Sequence, residues 1–479
     1  VVSYDVEISK VNEVYIRVDA PRDISQEISD HFTFLVPGHT FVPAFRKRLW
    51  DGKIRLFNVM NHLLYYGLFE HLCKFLYLRN YKAKFHHDFK TEQVRYKLDL
   101  KLPVVPREYQ IDAVNYALSN HRALLLSPTA SGKSLVIYIL VRYLKLKTLI
   151  LVPTTSLVSQ MYNDFREYGW DVANNCHTVF AGRDKGSELP VVISTWQSIY
   201  KMPQQYFEQY ELVIGDEAHG FKSKSLTAIM TKCVNAKYRI GTTGTLDGTQ
   251  THKLVLEGLF GKVYRVTSTK KLIDDKHLSP FSIKALILKH PDSICHTLRD
   301  INYQEELEYL ISSEARNKYI VNLSLSMERN TLLLFRFVEK HGRLLYDMIK
   351  EQNANNRTIF FVYGGTDADT REQIRGIVEK ETDSIIVASY GVFSTGVNIR
   401  NLHNIIFASP SKSRIRNLQS IGRALRKANQ KEKATLYDIA DDLKYKEKKN
   451  YTIQHFEERM KIYQEEKFPV SKYMIQLKQ

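Results

Sequence analysis

From Tyr109 onward the chain alternates unbroken apolar runs with longer stretches in which apolar residues return every three or four positions. Gln110 to Ser119 has the helical spacing, and Ala123 to Leu126 is continuously apolar. A second helical pattern opens after Lys133, and Thr148 to Val152 is again continuous. Short apolar runs separated by helices are strands covered on both faces, so this texture predicts a parallel sheet between helical layers. The alternation pauses at Thr267-Ser268-Thr269-Lys270-Lys271, which reads as a polar and basic linker. It resumes with strands near Ile283 to Leu288, Thr331 to Phe335, Thr358 to Val362 and Ile385 to Ala388. The result is two successive α/β units of about 165 residues each, an ordinary domain size.

The first hundred residues differ. Short alternating segments such as Val14 to Val18 precede an aromatic and basic run from Phe41 to Phe57, and Pro103 and Pro106 then punctuate the chain. The last stretch, Tyr451 to Gln479, reads as a charged amphipathic helix. The expected organisation is a small α+β domain at 1–100, an α/β unit at 101–267, a linker at 268–280, a second α/β unit at 281–450, and a helical extension at 451–479. No internal repeat or low-complexity tract interrupts it.

Composition sharpens one point. The 479 residues include 69 Lys+Arg against 52 Asp+Glu, a net charge of +17. Such a surplus fits a polyanionic partner, because Lys and Arg on phosphates release condensed counterions, although a merely solvated basic surface has the same composition. No run reaches the ~18 apolar residues of a membrane helix. The opening Val1-Val2-Ser3-Tyr4-Asp5 lacks the regions of a signal peptide. Cys73, Cys176, Cys233 and Cys295 form no CxxC pair and read as reduced thiols, which makes the expected location the cytoplasm. His86-His87 has no Cys or His at zinc spacing and reads as solvated surface.

Three clusters carry chemistry. Ser127-Pro128-Thr129-Ala130-Ser131-Gly132-Lys133-Ser134 follows an apolar strand and opens a helix. A tight loop there presents backbone N–H groups to a phosphate chain; Lys133 would neutralise the β/γ-phosphates and Ser134 would ligate Mg²⁺. Ser127 stands where the full pattern has glycine, so the loop alone also fits a chance turn. Leu212-Val213-Ile214 then delivers Asp216-Glu217-Ala218-His219, an acidic pair suited to Mg²⁺ binding by Asp216 and water activation by Glu217. The third is Gln419-Ser420-Ile421-Gly422-Arg423-Ala424-Leu425-Arg426-Lys427. At helical spacing Arg423 and Arg426 share a face, where they could converge on the γ-phosphate of ATP held by the first unit or form a plain basic face.

In this order the clusters resemble those of superfamily 2 helicases throughout residues 105 to 430, which implies two tandem RecA-like domains and an ATP- and Mg²⁺-dependent motor. The resemblance adds Arg107, Tyr109 and Gln110 as an adenine-reading element. The nucleotide set it implies is Ser127, Thr129, Ala130, Ser131, Gly132, Lys133 and Ser134, with Gly396 from a motif V segment, Ala388 to Asn398. His219 and Gln419 join the catalytic set. Thr154 and Thr155 (motif Ia), Thr195 and Trp196 (motif Ib) and Thr395 are implied to grip nucleic-acid phosphates. Gly241-Thr242-Thr243-Gly244-Thr245 stands where a Ser-Ala-Thr motif is usual, with its hydroxyls retained.

Trp50-Asp51-Gly52-Lys53-Ile54-Arg55-Leu56, Pro128 to Ser134 and Val387 to Gly396 narrow the resemblance to the UvsW-like recombination helicases of T-even phages. That implies an enzyme on forked and four-way DNA, with RNA–DNA hybrids as further substrates and movement 3′ to 5′; a monomer is the expected state. Single-strand-binding or recombinase partners are not legible. Arg46, Lys47, Arg48 and Trp50 suit backbone contact with base stacking. The alternative is a small-domain core of Phe45, Leu49 and Trp50 with solvated cations. An RNA-remodelling ATPase shares the same engine, and the residues contain no reader of a 2′-hydroxyl. A non-hydrolysing clamp is disfavoured by the complete set Lys133, Asp216, Glu217, Arg423 and Arg426. A restriction-type translocase would need a nuclease domain or partner.

Overall fold

The structure, a computed structural model, describes residues 4–87, 89, 94–97, 99–180, 182, 184–395, 399, 401–409, 413, 421–422 and 433–477. It divides into two compact units, Val1–Ser127 with Gly132–Thr267, and Ser268–Gln479 with Pro128–Ser131.

The first unit contains a seven-stranded parallel sheet in the order Cys176–Val179, Val191–Thr195, Thr148–Val152, Leu212–Asp216, Tyr238–Thr243, Arg122–Leu126, Val263–Arg265. Its central strands are buried from end to end and mostly apolar, as burial on both faces demands. Helices Glu108–Asn120, Lys133–Leu144 and Thr155–Glu167 are among those that connect and cover them. The order has a functional consequence. Strand Tyr238–Thr243 lies between the strands that lead into the Ser127 loop and into Asp216, so three neighbouring carboxyl ends meet, the usual place for a ligand in such sheets.

The small α+β domain belongs to this unit. Its five-stranded sheet pairs Val6–Lys10 antiparallel to Tyr15–Asp19 and parallel to Ala83–Phe85, and helices Arg22–His31 and Phe69–Leu78 pack on it. It is anchored on helix Gln250–Phe260. Leu254 of that helix sits in the small domain's apolar core, and His71 Nε2 lies 2.8 Å from Glu257 Oε2. Arg122 bonds Glu13 at 2.6 Å. A Cβ on Gly67 would stand 2.0 Å from the Glu257 carbonyl oxygen, so only glycine allows this approach.

The second unit carries another seven-stranded parallel sheet: Thr358–Val362, Ser384–Ser389, Thr331–Phe335, Asn404–Phe407, Ala434–Asp442, Phe281–Lys289, Val470–Gln476. The fold is therefore two tandem RecA-like sheets preceded by a small α+β domain. Two segments differ from the sequence reading. Thr269–Asp274, inside the expected linker, is a helix whose N-cap Ser268 side chain accepts from Lys271 N–H. The expected helical extension is a helix, Tyr451–Glu465, followed by strand Val470–Gln476, which pairs with Phe281–Lys289 at the sheet edge. An edge strand needs no buried face on its outer side, and this one is mostly exposed, so it lacks the apolar run that marks a central strand.

Among the described residues no helix is long and apolar enough to cross a membrane, and no group of three or more His, Cys, Asp or Glu could hold a metal. The four cysteines are unbridged.

Candidate nucleotide and nucleic-acid sites

The turn between Leu126 and Lys133 is built for backbone donation. Ala130 and Gly132 take left-handed φ values of 65° and 82°, which fold the loop back on itself; the Ser131 hydroxyl donates to the Pro128 carbonyl at 2.6 Å. Non-glycine residues in this region carry strain that persists where the surroundings impose it. Ser127, in the usual glycine position, is buried and its N–H donates to the Thr243 carbonyl at 2.8 Å, which extends the sheet by one rung.

The acidic pair faces this turn. Lys133 Nζ lies 3.0 Å from Glu217 Oε1, and the backbone of Glu217 is itself left-handed at φ 51°. Thr242 donates to Asp216 Oδ1 at 2.7 Å. His219 Nδ1 stands 3.3 Å from Glu217 Oε2 and 3.1 Å from Thr243 Oγ1. The retained hydroxyls of the Gly241–Thr245 segment thus touch Asp216 and His219 of the acidic motif. Burial works against the Glu217 charge, but the Lys133 ammonium and the His219 ring outweigh it and hold the carboxyl far below the usual range. Burial pushes Asp216 up, with the Glu217 charge adding to it and Lys133 and Thr242 opposing.

This arrangement can do three things. It can bind a phosphate chain through N–H groups and Lys133. It can hold a base, Glu217, in its ionised form. It also offers two hard oxygen donors, Ser134 and Asp216, a set that fits Mg²⁺, which binds through one or two carboxylates and substrate phosphates rather than an all-protein cage.

Gln110 is buried, with its Oε1 accepting from the Arg107 N–H at 2.8 Å and its Nε2 3.4 Å from the Gly132 carbonyl. A Cβ on Gly132 would meet that Nε2 at 2.3 Å. Arg107 in turn donates to the Tyr109 hydroxyl at 2.6 Å. The element expected to read adenine is therefore wired to the phosphate loop. Gln110→Ala is expected to relax the preference for ATP over GTP, measured as the ratio of kcat/KM values. An unchanged ratio would assign adenine reading to other residues.

Comparison with known proteins agrees with this geometry. Residues 103–248 match the family described as type III restriction enzyme, res subunit, residues 314–428 the helicase conserved C-terminal domain, and residues 5–86 the DNA helicase UvsW N-terminal domain. The ATP-dependent DNA helicase uvsW of Enterobacteria phage T4 is 33% identical over 97% of this chain and 98% of its own length. The chain belongs to the UvsW helicase family. The crystal structure of T4 UvsW covers 99% of this chain and 100% of its own, at 31% identity and a TM-score of 0.50. The DNA 3'-5' translocase XPB2 of Sulfurisphaera tokodaii is 25% identical over 67% of this chain and 78% of its own.

The residues expected to grip nucleic acid are positioned unequally. Thr154 caps helix Thr155–Glu167, its hydroxyl accepting from Leu157 N–H, and Thr155 is exposed on the first turn. Thr195 is buried with its hydroxyl 2.8 Å from Ser198 Oγ, and Trp196 packs against the apolar core of the first sheet. Thr155 is thus exposed and Thr195 is not. Thr395 ends helix Tyr390–Thr395. Gly396, Gln419, Arg423 and Arg426 lie outside the described residues.

The small domain's basic run lies at the surface. Arg46, Lys47 and Arg48 are exposed, Leu49 is 78% exposed, and Phe45 and Trp50 are only half-buried. None of these apolar residues belongs to the small domain's core. They line an open cavity with Thr40 and Asp51, and the Trp50 indole N–H donates to the Lys53 carbonyl at 2.9 Å.

Sequence reasoning passed over Tyr168, whose hydroxyl lies 3.0 Å from Ser134 Oγ. It also passed over His252, buried between Asp247 Oδ1 at 2.9 Å and the His219 carbonyl at 2.9 Å. Neither residue stands in a motif, so no local signal marks them.

Proposed function

We propose that this chain is an ATP-dependent DNA helicase that remodels branched DNA in recombination, replication and repair. Fork regression, four-way-junction branch migration and D-loop or R-loop unwinding are its reactions, and RNA–DNA hybrids are further substrates. The observation that carries the ATPase half is the Lys133–Glu217–His219 cluster beside the phosphate loop, with Asp216 held by Thr242. The branched-DNA half rests on family membership and on the exposed basic and aromatic loop of the small domain.

In this reading Lys133 and the loop N–H groups bind the phosphates, and Glu217 orients and deprotonates the attacking water. Ser134 and Asp216 would hold Mg²⁺, which when bound neutralises charge developing on the transferred phosphate. Arg423 and Arg426 are assigned as arginine fingers from the sequence alone. Thr155 grips backbone phosphate and so contributes little base specificity. The enzyme acts as a monomer, in the cytoplasm of a phage-infected host, and moves 3′ to 5′.

The small domain's anchorage on helix Gln250–Phe260 supports a grip that moves as one body with the first RecA-like sheet. Replacing Arg46, Lys47 and Arg48 together by Ala is expected to leave DNA-independent ATP turnover intact and to weaken fork and junction binding. The slope of log K against log salt should flatten by about 0.9 per lost phosphate contact. The overall reading is tested by ATP turnover on single strands, linear duplex, forks, four-way junctions and RNA duplexes. Stronger stimulation by RNA duplexes than by any branched DNA would replace it with an RNA-remodelling ATPase.

A further inference from the structure

A serine that ligates a hard cation must turn a lone pair to the metal and give its O–H proton to an acceptor elsewhere. Ser134 has such an acceptor 34 residues away in sequence, the Tyr168 hydroxyl at 3.0 Å. The mount of that hydroxyl is stiff. The Tyr138 ring packs on Tyr168 with centroids 5.1 Å apart, and the Tyr138 hydroxyl donates to the Tyr168 carbonyl at 3.2 Å. Tyr138 is itself buried, edge-on to Phe165, and accepts from Arg142 at 2.9 Å.

Tyr168 is also the C-cap of helix Thr155–Glu167. Thirteen residues make a rod about 20 Å long. Its first turn exposes Thr155, the proposed phosphate contact, and its last residue leads into the hydroxyl that holds Ser134.

We infer that Tyr168 is a positioning residue: its hydroxyl orients Ser134 toward Mg²⁺ and ties that orientation to the helix that meets nucleic acid. The inference rests on the proposed roles of Ser134 and Thr155. By linkage, DNA bound at one end should then tighten Mg²⁺-nucleotide at the other, and the reverse.

The test uses the full chain with Tyr168→Phe, which keeps the ring and removes only the hydroxyl. Fluorescent ADP is titrated with Mg²⁺ or with EDTA, each with and without single-stranded DNA. Affinity in EDTA is expected to match the wild type, while the tightening produced by Mg²⁺ shrinks by about fivefold, the worth of one hydrogen bond. The further tightening produced by DNA should disappear. Equal weakening in EDTA and Mg²⁺ would make Tyr168 merely structural, and persistence of the DNA effect would break the tie to the helix; either overturns the inference. Ser134→Ala separates this from the underlying assignment. If it leaves the Mg²⁺ effect intact, Ser134 is not a ligand and the site reading fails with it. If it removes the effect while Tyr168→Phe behaves as wild type, only the positioning role fails.

Discussion

Glu217→Gln should bind ATP with near-wild-type affinity and hydrolyse it about 10²–10⁴-fold more slowly, the usual worth of a general base. The substitution keeps the side-chain volume and the left-handed turn that aims the residue, and removes only the charge that Lys133 and His219 sustain. Lys133→Ala is the companion, expected to lose turnover and to weaken nucleotide binding as well, because its charge serves the phosphates before and during cleavage. Single-turnover hydrolysis and equilibrium titration distinguish the two profiles. Wild-type turnover in either purified variant would remove these residues from the site. Equal loss of affinity in both would make Glu217 a binding group and leave the base unassigned.

How much of this was legible follows from how far apart the interacting residues lie in sequence. Thr331–Phe335 and the Ile385 to Ala388 run could be read as strands because a strand inside a covered sheet is apolar over a short run. The phosphate loop was legible because backbone donation demands small residues at a strand–helix junction. The Tyr168–Ser134 and His252–His219 contacts join residues 34 and 33 positions apart and impose no local pattern. The pairing of Ser194–Ser198 with a nucleic-acid role was readable as a motif, yet only burial shows that Thr195 faces inward. For Phe45, Leu49 and Trp50, composition allowed both core and surface, and exposure separates the two.

The C-terminal segment was the least legible, and its anchor makes the other large effect. Arg459, 1% exposed, forks onto Asp438 at 2.9 and 2.8 Å, and the Tyr463 hydroxyl donates to the same carboxylate at 2.8 Å. Asp438 lies in strand Ala434–Asp442, while both donors lie on helix Tyr451–Glu465. That helix starts against Glu306, which accepts from Tyr451 N–H and Thr452 N–H, each at 2.8 Å, a carboxylate at a helix N-terminus. Asp438→Ala leaves a buried guanidinium without its counter-charge and a buried phenol without its acceptor, and should cost about 3–5 kcal/mol. Hydrogen exchange is expected to show the loss first in the helix and in strand Val470–Gln476, which follows it. Pairing the change with Arg459→Leu should recover the share owed to the unpaired guanidinium, since a buried ion pair and its apolar replacement are often near parity, while the share owed to the Tyr463 hydroxyl persists. A double variant as unstable as the sum of the two singles would mean that Arg459 holds the helix by its packing and carbonyl contacts rather than by its charge.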